Sequence, residues 1–206
     1  MKIYHLISGL LKVNSYFLVN ENTKEAVAID CGENYNLIKE TENKNGFHIK
    51  YLLLTHDHFD HAGNAKKLQD DGVKVYISAI DAAKLNGDGN LAAMVGKKFQ
   101  SFTPDYCFSD GEELDLCGIK IKVMITPGHT DGSACFIVDR NIFSGDTLFY
   151  QSVGRTDFIG GNRADMINSV KKLAMLDGDY NVYPGHGAFT TLSHERQFNR
   201  FIEYEK

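Results

Sequence analysis

The stretch LLLTHDHFDHAGN, residues 52–64, constrains this chain more than any other. An apolar run of strand character ends at Thr55, and the next six residues hold three histidines and two aspartates. With 8 histidines in 206 residues, chance would place such a pattern in about one chain in a thousand of this composition. Side chains alternate along extended backbone, so His56 and His58 point one way and Asp57 and Phe59 another. Asp60 and His61 fall where the chain turns into the next helix. One side of a strand-to-helix loop therefore presents His56, His58, Asp60 and His61. Imidazole and carboxylate are the ligands of zinc and related metals.

One loop cannot saturate two metal ions, and the sequence offers partners. ITPGHTDGSA carries His129, FSGDTLF carries Asp146 and VYPGHG carries His186. Each follows an apolar strand and sits in a glycine-containing turn, where rigid scaffolds present functional residues. The seven polar candidates suffice for two three-residue sites with a seventh bridging.

The rest of the chain reads as an ordered α/β protein. Short buried strands are expected at YFLVN, AVAID, YLLLT and KVYIS, with a hairpin turn at Asn20–Lys24. Helices are expected over residues 34–46, 61–72 and 163–176, and one closing helix over 192–206, with Ser193 or Thr191 as its N-cap. Residues 85–90 read as a flexible loop and 85–104 as a flap over the site or a surface helix. Hydrophobic residues at 43% supply a core. The net charge of −5 argues against nucleic acid or an anionic membrane as partner. No apolar run reaches the length of a membrane span and no cleavage pattern follows the first strands, so a cytoplasmic location is expected. The four cysteines form no C-x-x-C pair and read as buried or idle thiols.

His56-x-His58-x-Asp60-His61 followed in order by His129, Asp146 and His186 resembles the metallo-β-lactamase superfamily, nearly end to end. SVGRTDFIGG (152–161) and VYPGHGAFTT (182–191) make the chain similar to the short, single-domain glyoxalase II-like thioester hydrolases within it. The resemblance implies an αββα sandwich over residues 1–206, with the metals at one edge of two facing sheets. It implies no separate C-terminal helical domain of the kind that helps full-length glyoxalase II enzymes hold glutathione. It implies His56, His58 and His129 at a first metal, Asp60, His61 and His186 at a second, and Asp146 bridging. Asp57 fills a variable position, where a surface or supporting role is expected. Asp30 in IDCG is expected behind the site, orienting a ligand. Arg155 falls where the resemblance places a basic residue near the thiol substrate, with Tyr150 and Phe158 flanking it.

Two divalent ions, zinc first with iron or manganese as alternatives, would lower the pKa of a shared water towards ~7. The hydroxide, oriented by Asp60, would attack the carbonyl of an acyl-thiol or ester, and a thiolate would leave without a proton donor. Other readings share the scaffold. A mono-iron persulfide dioxygenase would use His56, His129 and Asp146 and leave the other ligands idle. A lactonase would use the same core chemistry. A β-lactamase fits less well, because those enzymes do not use the Asp146 position as a bridging carboxylate. A non-catalytic metal-binding protein would be expected to lose ligands, and none is lost here.

Overall fold

The computed structural model of the protein describes residues 1–202. The first sheet runs in the order β1 (Lys2–Ser8), β2 (Val13–Val19), β3 (Glu25–Ile29), β4 (His48–Leu53), β5 (Lys74–Ser78) and β6 (Tyr106–Phe108). The first three strands pair antiparallel as a meander, and β3 to β6 pair in parallel. The second sheet contains β7 (Glu113–Leu116), β8 (Ile119–Ile125), β9 (Ala134–Val138) and β10 (Asn141–Gly145). A two-stranded ribbon, β11 (Leu148–Phe149) and β12 (Ser152–Val153), follows. Then β13 (Asn181–Pro184) and β14 (Thr190–Thr191) complete the second sheet in the order β14-β13-β10-β9-β8-β7.

Six helices accompany the strands among the described residues: α1 (Tyr35–Asn45), α2 (Phe59–Ala62), α3 (Ala65–Asp70), α4 (Ala79–Ala82), α5 (Arg163–Ala174) and α6 (Leu192–Phe198).

Period-two alternation explains the layers. In β2 and β3, Tyr16, Leu18, Val27 and Ile29 face the second sheet, where they meet Ile121, Val123, Phe136 and Phe143. The intervening Phe17, Ala26 and Ala28 face outwards and pack under Ile38 of α1 and Leu68 of α3. In β9, Phe136 points between the sheets, while Cys135 and Ile137 point out against Val170 and Leu173 of α5. The result is helix, sheet, sheet, helix, the expected αββα sandwich. No helix among the described residues is long and apolar enough to cross a membrane.

Three local expectations are corrected. The helix expected over 61–72 is two short pieces, because a turn already begins at Phe59 and the chain breaks at Gly63–Asn64, where the Asn64 side chain donates to the Gly32 carbonyl. The closing helix stops at Phe198: Asn199 is extended and its side-chain amide donates to Ser152 O and Glu195 Oε2, before a 3-10 turn over Arg200–Ile202. The end of that expected helix, 203–206, lies outside the described residues. Residues 88–90 and 92–95 form 3-10 turns, and the first is held in place: the Asn90 amide donates to the carbonyls of Leu85 and Gly87. Thr191 is the N-cap of α6 as expected, accepting from the His194 amide.

Candidate metal centre

The ends of β4, β8, β10 and β13 meet at one rim of the sandwich, and each carries part of the cluster. His56 and His58 follow β4, Asp60 and His61 open α2, His129 follows β8, Asp146 follows β10 and His186 follows β13. All are buried except His186, which is partly exposed. Three sets bring one ligand atom from each member within 4.8 Å of the others: His56, His58 and His129; His56, His61 and Asp146; Asp60, His61 and His186. Asp146 lies between the outer two sets. Its Oδ1 is 3.3 Å from His61 Nε2, and its Oδ2 is 3.4 Å from His129 Nε2 and 3.6 Å from His186 Nε2. Close approach of the last turn requires glycine. A Cβ on Gly185 would lie 2.2 Å from Asp146 Oδ1 and 2.7 Å from His61 Cε1.

The outward nitrogens of four histidines are tied to the scaffold. His61 Nδ1 donates to Asp30 Oδ2 at 2.8 Å. His129 Nδ1 donates to the Arg155 carbonyl at 2.7 Å, and His186 Nδ1 to the Leu11 carbonyl at 3.0 Å. The Thr55 hydroxyl donates to Asp30 Oδ2 and so accepts from His56 Nδ1 at 3.0 Å. A ring that donates outwards from Nδ1 turns its Nε2 lone pair inwards, the tautomer that binds a cation. His58 differs: its Nδ1 faces His56 Nε2 at 3.1 Å and His129 Nε2 at 2.9 Å, while its Nε2 is buried without a hydrogen bond.

Electrostatics follow from this crowding. Burial and the neighbouring rings His61, His58 and His129 hold His56 well below the usual histidine range. Burial, then His129, lowers His58 to about 3. Burial opposes charge on His61, but Asp146, Asp30 and Asp60 outweigh it and raise that ring. Burial alone would raise Asp146, yet His61 and the other rings hold its carboxyl well below the usual range. Asp60 is lowered for the same reason, His61 outweighing burial. Burial opposes charge on His186 as well, but Asp60 and Asp146 outweigh it and raise that ring. The two carboxylates are anions at neutral pH, and the His56 and His58 rings are neutral. Asp146 Oδ1, buried, makes no hydrogen bond. Buried atoms of this kind need a partner. The donor set, geometry and orphaned atoms all fit metal ions.

Asp30 sits behind His61, at φ +54°, a left-handed geometry that aspartate tolerates better than most residues. Its Oδ1 also accepts from the Thr55 amide. Asp57 is not at the surface: it is fully buried, and neither carboxylate oxygen makes a hydrogen bond. Burial and the nearby charge of Asp81 push it up to about 7. Arg155 reaches the rim of a pocket of about 530 Å³ that opens on the cluster. Its guanidinium pairs with Asp157 and lies over the Phe158 ring, which stands edge-on to His58 and His129. Tyr150 lies outside that lining and stacks on His194 instead.

Sequence reading missed Asn14, Thr55 and the Leu11 carbonyl. Asn14 donates from its amide to the carbonyls of Pro184 and Gly187, and from its backbone to Gly185, gripping both sides of His186. A lone amide in the wholly buried strand VNSYFLV was the available signal.

The sequence model of the metallo-beta-lactamase superfamily matches residues 8–186. A hydroxyacylglutathione hydrolase of Haemophilus influenzae is 36% identical over 193 residues, covering 90% of this chain and 91% of its own. A probable metallo-hydrolase of Streptococcus pyogenes is 33% identical, covering 98% of this chain and 90% of its own. Among solved structures, the BLEG-1 B3 metallo-β-lactamase superposes with a TM-score of 0.91 at 29% identity, covering 98% of this chain and 99% of that one. A protein in a di-iron-bound form gives 0.86 at 31% identity, covering 96% and 99%.

Proposed function

The chain belongs to the metallo-β-lactamase superfamily, and from that premise we propose that this metallo-hydrolase holds two metal ions and cleaves thioesters. One observation carries the reading: two three-ligand sets converge at one rim, with Asp146 within 3.6 Å of rings from both. His56, His58 and His129 would hold the first ion, Asp60, His61 and His186 the second, and Asp146 both. The 36% identity to a hydroxyacylglutathione hydrolase supports a thioester as the substrate.

Divalent ions held there would supply Lewis acidity, lowering the pKa of a water to about 7 and drawing charge from a carbonyl oxygen. The chain's own groups do the rest. Asp30, Thr55 and the carbonyls of Leu11 and Arg155 fix the rings before any substrate arrives. Asp60, 3.3 Å from His186 Nε2, stays ionised and accepts a proton-bearing oxygen to orient it. Phe158 and Phe149 shield the cluster from bulk water on the pocket side. A thiolate would leave without a proton donor.

Zinc is the first expectation, and the di-iron relative makes iron the first alternative. Elemental analysis of protein purified without chelator tests the metal, and hydrolysis of a thioester, an ester and a chromogenic cephalosporin tests the chemistry. Two ions per chain with the thioester cleaved fastest is the expected result. One iron per chain with oxygen uptake on persulfides would replace this reading with the dioxygenase. Preference for the cephalosporin would replace it with lactam hydrolysis, which the likeness to a B3 enzyme supports.

A further inference from the structure

The pocket over the cluster has a chemical character that the metal ligands do not explain. Its walls are hydrocarbon: Leu11, Phe59, Met94, Val95, Phe149 and Phe158. Two of these walls are lips standing in water. Leu11, with Leu10 beside it, caps the β1–β2 turn and is 49% exposed, while Met94 and Val95 on the 3-10 turn are 66% and 54% exposed. Large apolar side chains left in water around a cleft mark a binding surface. Both lips are held. Glu33 accepts from the Leu10 amide through Oε2 and pairs with Lys97 through Oε1, tying one turn to the other. Lys97 in turn lies over the Phe59 ring at 5.0 Å.

Positive charge is scarce on these walls, and the two carboxylates that line the pocket, Asp60 and Asp146, belong to the cluster. Histidines aside, Arg155 is the one cation lining the pocket among the described residues, and its guanidinium is already met by both oxygens of Asp157 at 2.9 and 2.8 Å. A glutathione thioester carries two carboxylates and an ammonium. Here they would meet hydrocarbon and a guanidinium that is already paired. Burying charged groups without partners is costly, whereas burying methylenes is favourable.

We infer that the substrate is a thioester bearing a hydrocarbon group of several carbons, seated between Leu11 and the Met94–Val95 turn, rather than a charged peptide thioester. The inference rests on the thioester-hydrolase reading. The hydrocarbon can enter as the acyl group or as the thiol, and two substrate series separate these sources. One lengthens the acyl chain of N-acetylcysteamine thioesters, and the other lengthens the alkanethiol of acetyl thioesters.

With the metal-loaded full chain, kcat/KM is expected to rise two- to fourfold per added methylene along one series, until the pocket is filled. The double substitution Met94→Ser with Val95→Ser should cut the ratio of longest to shortest substrate at least tenfold. Both side chains stand more than half in water, so the buried core is untouched. Flat dependence in both series, with lactoylglutathione cleaved faster than any member, overturns the inference and leaves the hydrolase reading in place.

A second readout does not depend on turnover. Thioether analogues, with the carbonyl replaced by methylene, are titrated calorimetrically into the metal-loaded full chain. A Kd that falls two- to fourfold per methylene supports the hydrocarbon site even if no thioester is cleaved, and a Kd independent of length overturns it.

Discussion

Asp30 and Asp57 are both buried carboxylates within reach of the cluster, and they act in opposite ways. Asp30 is satisfied: it accepts from the Thr55 amide, the Thr55 hydroxyl and His61 Nδ1. Replacing it with asparagine keeps a side chain that tolerates φ +54°. It also puts an amide N–H or a neutral oxygen against the ring, weakening the tautomer that aims His61 Nε2 at the cluster. Asp30→Asn should therefore lower affinity for one metal ion by about 10- to 100-fold, read by competition with a chromophoric chelator. Unchanged metal affinity would show that Asp30 is only a turn residue. Asp57 is unsatisfied, and its folded-state pKa of about 7 lies above the unfolded value of about 4. The native state then keeps a proton that the unfolded state has lost, so stability falls as pH rises from about 4 to about 7. Asp57→Asn removes that dependence. In metal-free protein the variant should melt a few degrees above the parent at pH 8, on the order of 1–3 kcal/mol, with the gap shrinking by pH 4.5. The titrating histidines are common to both proteins and cancel in the difference. A gap that ignores pH would refute the assignment.

At the scale of elements, Glu33 is a staple between the β1–β2 turn and the 3-10 turn that ends at Val95. It joins surface segments, so Glu33→Ala should cost under about 1 kcal/mol of global stability. Locally it should free both lips, and amide exchange around Leu10 and Met94 should speed up while the core strands keep their protection. Unaltered exchange at both lips would mean that packing alone holds them. None of this was legible in the sequence, because Glu33 and Lys97 are 64 residues apart and carry no motif. The cluster's members were legible for the opposite reason. A ligand at a strand end is announced locally, by an apolar run before it and a glycine turn around it. Four strands were legible as the apolar runs YFLVN, AVAID, YLLLT and KVYIS, whereas their order in the sheet was not. What failed was continuity: Asn64 and Asn199 interrupt the expected helices through contacts with Gly32 and Ser152, which lie in other parts of the chain. Asn14 and the Leu11 carbonyl were missed likewise, since both act on the His186 turn more than 165 residues away.

For the whole molecule, the cluster is also a joint. His56, His58, Asp60 and His61 come from the first sheet's half, and His129, Asp146 and His186 from the second. Direct seams already connect the halves there: the Asn14 amide donates to Gly185 O and the Ala134 amide to Thr55 O, both at 2.8 Å. Ions bound by residues of both halves would be lost when either half unfolds, so metal binding stabilises the molecule as one unit. At a free-ion concentration 100 times the Kd, one site adds about 2.7 kcal/mol. For a chain of this size that is about 5–10 °C in Tm. Chelation should therefore lower the melting temperature by at least that much and keep a single transition, and adding back zinc should restore it. Melting of the metal-free protein in two steps would show instead that the halves fold separately and that the ions alone couple them. A Tm indifferent to chelation would remove the metals from the joint, and with them the physical reason for placing seven polar groups where the two sheets meet.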